Sequence, residues 1–432
     1  MEFYSTNNRN LRVDLRQAVM QGLAPDNGLY MPVSIPKLPD QFFRDISRKT
    51  FQELSLEIAQ HLLGKDLLAE ELKRIVDHTI QFEAPLVNLE PGIFALELFH
   101  GPTLAFKDFG ARFLSGLLGY FAKRQSREIV ILVATSGDTG SAVANGFLNV
   151  PGTRVIVLYP SGKVSEIQEK QFTTLGGNIT ALEIEGTFDD CQALVKSAFH
   201  DKELNEKLLL TSANSINIAR LIPQSFYYFW AFAKLQDQSG DLVFSVPSGN
   251  FGNLTAGLMA KRMGLPVKQI IAATNINDIF PAYLQTGLFS PRPSQQTISN
   301  AMDVGSPSNF YRMLDLYDGD ITRLSTDVLG YSFTDEETRQ AMRAVFTSKG
   351  YVLDPHGAVG YLGLKKYFEN SSNHGTGVFL ETAHPGKFRD VVEETIQQKM
   401  MLPERLEKFL MNDKISQRLS KRLDDLKDFL LA

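Results

Sequence analysis

His100-Gly101-Pro102-Thr103-Leu104-Ala105-Phe106-Lys107-Asp108-Phe109-Gly110 is the stretch on which the reading of this chain turns. A strand-like run, 93–98, stands before it. A helical run, 109–120, stands after it, with apolar residues at helical spacing. Lys107 therefore falls where a strand gives way to a helix, in a loop opened by Gly101-Pro102. The start of a helix carries positive partial charge, which disfavours a protonated amine. A lysine placed there is expected to have a lowered pKa and to be a better nucleophile toward a carbonyl, as Schiff-base formation with an aldehyde requires. A surface lysine in a first helical turn has the same local sequence, so the reading depends on the loops around it.

From about residue 91 the pattern is strands alternating with helices. The run 129–133 is continuously apolar, as expected for a strand buried on both faces. Runs at 155–159, 179–184, 241–246 and 270–274 repeat the signal, and 376–380 adds a short one. This alternation predicts α/β architecture with largely parallel sheet. Ligands in such sheets bind at the carboxyl ends of strands, in the turns that lead into helices. Ahead of this region, residues 1–90 read as mainly helical with a short extended start. Helices are expected over 11–23, 51–63 and 67–80. Helices at 335–349 and 357–368 follow the main strand region, and beyond 386 the chain is mainly helical and charged.

Three further turns carry polar chemistry. Ala134-Thr135-Ser136-Gly137-Asp138-Thr139-Gly140 follows a buried strand and opens a helix of small residues, an arrangement suited to a carboxylate or phosphate. Pro247-Ser248-Gly249-Asn250-Phe251-Gly252-Asn253 follows the strand ending at Val246. Its glycines let backbone N–H groups approach a phosphate, although it is neither a Walker loop nor a dinucleotide fingerprint. Near the end, Thr382 in Glu381-Thr382-Ala383-His384-Pro385-Gly386 offers a neutral hydroxyl that can hydrogen-bond a ring nitrogen. Asn214 and Arg220 stand six residues apart at the expected start of the helix that holds Trp230, where both can read an anion. Each turn alone also has an ordinary reading as a cap or a tight turn.

Composition narrows the class. The 432 residues suit two or three domains, and 43% hydrophobic with 22% charged residues describes an ordinary globular chain. A net charge of -5 gives no electrostatic case for nucleic acid or an anionic membrane. One cysteine, Cys191, excludes an internal disulfide and fits a reducing compartment. With no signal-peptide pattern at the start and no apolar run long enough for a bilayer, a cytoplasmic location is expected.

Taken together these segments resemble the threonine synthase family, pyridoxal-phosphate enzymes of fold type II with a tryptophan-synthase-β-like fold. The resemblance runs from Gln21-Gly22-Leu23-Ala24-Pro25-Asp26-Asn27-Gly28-Leu29-Tyr30 through the Lys107, Ser136, Asn214 and Gly249 motifs. Asn300-Ala301-Met302-Asp303-Val304-Gly305 and Asp354-Pro355-His356-Gly357 close it. The 1–90 region and the Asn300 segment look like the longer, microbial and fungal type of the family. The resemblance implies two open, largely parallel α/β sheets with helices on both faces. It implies an N-terminal region over 1–90, a catalytic core over 91–430 with a smaller subdomain inserted at about 110–210, and C-terminal helices from about 387.

By the same resemblance Lys107 carries pyridoxal 5'-phosphate and is the catalytic residue. Gly249, Asn250, Phe251, Gly252 and Asn253 would bind the cofactor phosphate, and Thr382 would face its ring nitrogen. Asp138 would lie at the ring oxygen, where many relatives of the fold have Asn. Thr135, Ser136, Asn214 and Arg220 would hold the carboxylate and phosphate of O-phospho-L-homoserine, which water converts to L-threonine and phosphate. No metal is implied. A monomer or homodimer acting on a small molecule is expected, with neither nucleic acid nor membrane as partner. Two alternatives stay open on the sequence. One is a related phospho-lyase releasing a keto acid, and the other a catalytically silent small-molecule-binding protein on the same fold.

Overall fold

The computed structural model describes residues 1–123, 125–371 and 375–432. Its strands, in chain order, are β1 (Glu2–Ser5), β2 (Asn8–Asp14), β3 (Tyr30–Pro32), β4 (Leu86–Glu90), β5 (Ile93–Glu97), β6 (Ile129–Ala134), β7 (Thr153–Pro160), β8 (Ile179–Ile184), β9 (Leu209–Ser212), β10 (Leu242–Pro247), β11 (Gln269–Thr274), β12 (Val328–Ser332), β13 (Thr376–Glu381) and β14 (Gln417–Leu419). The chain forms two compact units. Unit 1 is Met1–Pro32, Lys107–Arg220 and Leu402–Ala432, and unit 2 is Val33–Phe106 and Leu221–Met401. The stretch 1–90 is thus shared between the two.

Unit 1 holds a parallel sheet in the order β14-β8-β7-β6-β9 and a small antiparallel sheet in the order β2-β1-β3. All six side chains of β6 are buried, so the strand needs cover on both faces. One face packs Val130, Leu132, Ile156, Leu158, Leu182 and Ile184 against Cys191, Leu194 and Val195 of the helix Phe188–His200. Leu426 and Leu430 of the helix Leu423–Leu431 complete that core. The helix expected over 11–23 is shorter, Leu15–Gln21. Leu11 to Asp14 belong to β2, whose exposed and half-buried side chains alternate, and Asp14 ends the strand by capping the helix through the Gln17 N–H at 2.7 Å.

Unit 2 holds a six-stranded sheet in the order β12-β11-β10-β13-β5-β4, parallel except for the edge pair β4–β5. Ala95, Val243, Ile271 and Phe379 pack on one face against Met342 and Val345 of the helix Asp335–Lys349, and against Ala358 and Leu364 of the helix Pro355–Asn370. On the other face the Tyr228 ring meets Phe244 edge-on at 4.9 Å, and its hydroxyl donates to the Asn253 carbonyl at 2.8 Å. The helices Phe51–Leu63 and Ala69–Thr79 pair with each other, the first opened by a Thr50–Glu53 capping box.

Candidate active site

Lys107 is the first residue of the helix Lys107–Ala122 and is half-buried. The backbone that delivers it is fixed within unit 2. Ala105 bridges Ala383, the Phe106 N–H donates to the Thr382 carbonyl at 2.8 Å, and the Leu104 carbonyl accepts the His384 N–H at 3.0 Å. The buried Lys387 ammonium donates to the Thr103 carbonyl at 2.8 Å. Leu104 takes a left-handed conformation, φ 54°, which a side chain adopts only under such constraint. The chain then passes from unit 2 to unit 1 between Phe106 and Lys107.

Within unit 1, Arg220 lies against the first turns of the lysine's helix. Its Nη1 donates to the Ala213 carbonyl at 2.6 Å. Burial pushes this guanidinium down to about 10, with Asp108 acting in the opposite sense. Arg112, also buried, is lowered by the same two opposed causes. Asp108 itself is 1% exposed, so two cations and one carboxylate share the start of this helix.

The loop after β6 is held by its own side chains. The Thr135 hydroxyl is buried and accepts the N–H groups of Gly137 at 2.9 Å and Gly140 at 2.8 Å. Gly137, at φ 139°, precedes the helix Asp138–Phe147 without capping it by a side chain. Ser136 and Thr139 remain half-buried. Asp138 is buried and accepts from Gln168 Nε2 at 2.8 Å, a partner from the helix Glu166–Thr173. Asn214 clamps the loop from the other side, its Nδ2 donating to the Ala134 carbonyl at 2.8 Å and its Oδ1 accepting the Ala134 N–H at 3.3 Å. Asn214 and Arg220 do not share a helix. Asn214 lies in the loop after β9, Arg220 ends the 3-10 turn Ile218–Arg220, and the helix holding Trp230 begins at Ile222, next to Pro223.

Unit 2 carries the glycine loop after β10. A Cβ on Gly249 would stand 2.6 Å from Met302 Cα, so that position admits only glycine. Phe251 is left-handed at φ 58° and gives the helix Gly252–Arg262 no side-chain cap, which leaves the start of that helix suited to phosphate oxygens. The two asparagines shape the loop. Asn253 Nδ2 donates to the Pro247 carbonyl at 2.9 Å, and Asn250 Oδ1 accepts the Ser308 N–H at 2.6 Å. Asn309 Nδ2 donates to the Asn250 carbonyl at 3.0 Å, and Arg312, fully buried, holds Asn309 Oδ1 at 2.8 Å. Thr382 is buried at the end of β13. An uncapped helix start beside a glycine that admits no side chain fits a phosphorylated cofactor.

Unit 1 therefore carries Lys107, Thr135, Ser136, Asp138, Asn214 and Arg220 on loops and helix starts, and unit 2 carries Gly249 to Asn253 and Thr382. Reading the sequence missed the residues that fix these loops: Gln168, Asn309, Arg312 and Lys387. Nothing in their spacing marks them: Gln168, Asn309 and Lys387 act through partners distant in sequence, and Arg312 acts only by holding Asn309.

Three family models match the chain: a pyridoxal-phosphate-dependent enzyme model over residues 79–380, a threonine synthase N-terminal model over 2–80, and a threonine synthase C-terminal model over 357–430. The chain is 46% identical to threonine synthase of Escherichia coli over 94% of both chains. The crystal structure of the Escherichia coli enzyme superimposes with a TM-score of 0.93 at 43% identity, covering 100% of this chain and 99% of that one. A PLP-bound threonine synthase from Brucella melitensis superimposes with a TM-score of 0.91 at 35% identity, covering 100% and 98%.

Proposed function

The chain belongs to the threonine synthases, enzymes dependent on pyridoxal phosphate, and from that premise we propose how its residues divide the conversion of O-phospho-L-homoserine and water to L-threonine and phosphate. Pyridoxal phosphate, when bound, supplies the electron sink that makes the substrate's Cα proton removable. Lys107 would hold the cofactor covalently at rest. Its amine, when free, would take the proton from Cα and then one from Cβ, and would return protons to Cγ and Cα. The loop Gly249–Asn253 holds the cofactor phosphate on its backbone N–H groups, and Thr382 faces the ring nitrogen. Asp138, steadied by Gln168, lies toward the ring oxygen.

Arg220 and Ser136 hold the substrate's anionic groups, and Arg220 keeps its grip on the phosphate while that group leaves. Thr135 and Asn214 contribute by fixing the loop that carries Ser136, since their polar atoms are engaged with its backbone. Water then adds at Cβ. The observation that supports this division best is the Phe106 N–H bond to the Thr382 carbonyl. It sets the residue before the lysine against the residue given to the ring nitrogen.

The deciding experiment is product analysis. Purified protein loaded with pyridoxal phosphate should release threonine and phosphate in equal amounts from O-phosphohomoserine. A keto acid in place of threonine would make it a phospho-lyase on the same scaffold. Among the described residues no helix is long and apolar enough to cross a membrane. The net charge of -5 and the single cysteine support reading the chain as a cytoplasmic monomer or homodimer without nucleic-acid partners; sedimentation of the purified protein tests the oligomeric state.

A further inference from the structure

Glu381, the last residue of β13, is wholly buried, and no described residue gives either carboxyl oxygen a well-formed hydrogen bond; the Asp354 backbone N–H favours its charged form, but less than burial and the Asp354 carboxylate oppose it. A buried carboxylate left in that state is among the most costly groups a fold can hold. Its surroundings are acidic. Glu97 on β5 is its register partner across the sheet, so both side chains leave the same face. Asp354, also fully buried, lies within hydrogen-bonding reach. A Cβ on Gly357 would fall 2.3 Å from the Glu381 carboxyl, so the group rests directly on the first turn of the helix Pro355–Asn370.

The hydrogen bonds fix which partner carries charge. His356 Nε2 accepts the Ala301 N–H at 3.2 Å, so Nδ1 carries the ring proton and donates it to Asp354 Oδ1 at 2.6 Å. Asp354 also accepts the backbone N–H groups of His356 and Gly357, at 2.8 and 3.2 Å. With three donors, Asp354 is the ionised member. The oxygens of Glu381 then have one acceptable state beside it, the protonated one, with the acid hydrogen donated to Asp354. Burial, and after it Asp354, push the Glu381 carboxyl well above the usual carboxylate range. Tyr351 and His100 both bond Glu97, at 2.8 and 2.7 Å, and the buried Lys387 donates to the Thr103 carbonyl. The His384 ring is pushed down to about 4, chiefly by burial.

We infer that Glu381 is a positioning residue for the cofactor seat, a neutral acid that ties the end of β13, where Thr382 sits, through Asp354 and His356 to the Ala301–Met302 backbone over Gly249. The relay lies wholly in unit 2. Its two ends are the elements given above to the ring nitrogen and to the phosphate, and the inference rests on that reading of the seat.

Glu381→Gln keeps the shape and the donor but cannot ionise. At neutral pH it should bind pyridoxal phosphate within a few-fold of wild type, whereas Glu381→Ala should lose about tenfold or more. As pH rises, wild type should lose affinity where Glu381 ionises, and the Gln variant should lack that loss. An infrared difference spectrum of the two apoproteins should contain the carbonyl stretch of a protonated acid in wild type alone. An affinity loss of tenfold in the Gln variant, superposable pH profiles, or no such infrared band would overturn the inference. Gly249→Ala separates this from the seat itself. Unchanged cofactor affinity in that variant would remove the phosphate assignment, while the infrared band still decides the state of Glu381.

Discussion

Arg220 Nε occupies the space over Gly110 so closely that a Cβ on the glycine would stand 2.7 Å away. The glycine is three residues beyond Lys107 on the same helix, so the arginine's seat is cut into the lysine's own first turns. Gly110→Ala should therefore act as an arginine variant without touching the arginine. We expect kcat/KM for O-phosphohomoserine to fall about tenfold to a hundredfold, as for a displaced binding group. Cofactor affinity should be unchanged. Titration with pyridoxal phosphate beside steady-state kinetics checks both, and wild-type kinetics would mean that the helix shifts without moving Arg220.

Arg220→Lys asks about the guanidinium itself. A lysine reproduces the charge but not two parallel hydrogen bonds to a phosphate. Loss of that contact should cost about 2–4 kcal/mol in kcat/KM, with kcat falling as well as affinity if the grip persists while phosphate leaves. Turnover close to wild type would reduce Arg220 to a packing residue over Gly110.

Lys107→Ala should abolish both turnover and the visible absorbance of the lysine-bound cofactor, while the phosphate loop still retains pyridoxal phosphate weakly. Borohydride reduction followed by peptide mapping gives the direct reading. Reducible cofactor still attached to the variant would move the covalent link to another lysine.

Stability at neutral pH, and its loss in acid, should depend on Lys414, which bridges Glu169 and Glu183 at 2.7 Å each. Burial works against the Glu183 carboxylate, but hydrogen bonds from Lys414 and Ser161 outweigh it and bring the group from 4.5 to about 2. Because the folded value is the depressed one, the stabilisation is present above the unfolded value of 4.5 and is lost as pH falls toward 2. After allowance for the partial exposure of Lys414, about 2 kcal/mol is at stake. Glu183→Gln should lower Tm at pH 7, and the gap to wild type should close below pH ~3. A gap that persists in acid would assign the loss to packing.

The strands bordering the site were legible because burial on both faces leaves an unbroken apolar run, as in Ile129–Ala134, and such runs ended in turns rich in glycine and hydroxyls. Short or exposed strands left no such trace. β9 and β14 are four and three residues long, and their register is set by β6 and β8. In β2 the apolar Leu11 fitted a helical spacing with Leu15 and Ala18, and only the cap at Asp14 divides the two elements. At the site, residue types were readable but the division of labour was not. Thr135 and Asn214 read as anion ligands, and the structure adds hydrogen bonds from both to the loop backbone, a use that depends on how β6 and β9 pair. Glu381 carries no signal in the sequence, because an acid at the end of a strand is ordinary until its burial is known.

The composition of unit 1 also bears on how the chain is made. Its sheet takes β6 to β9 from the middle of the sequence and β14 from beyond residue 402. During synthesis, the strands between Ile129 and Ser212 emerge with Leu182, Ile184, Cys191 and Leu194 in place, but Leu426 and Leu430, which share their core, are translated some two hundred residues later. Throughout that interval an apolar face and the free edge of β8 are open to other chains, and the larger part of unit 2, Leu221–Met401, is produced meanwhile. Nascent chains stalled before residue 402 should therefore engage chaperones and aggregate through unit 1, even when unit 2 has folded.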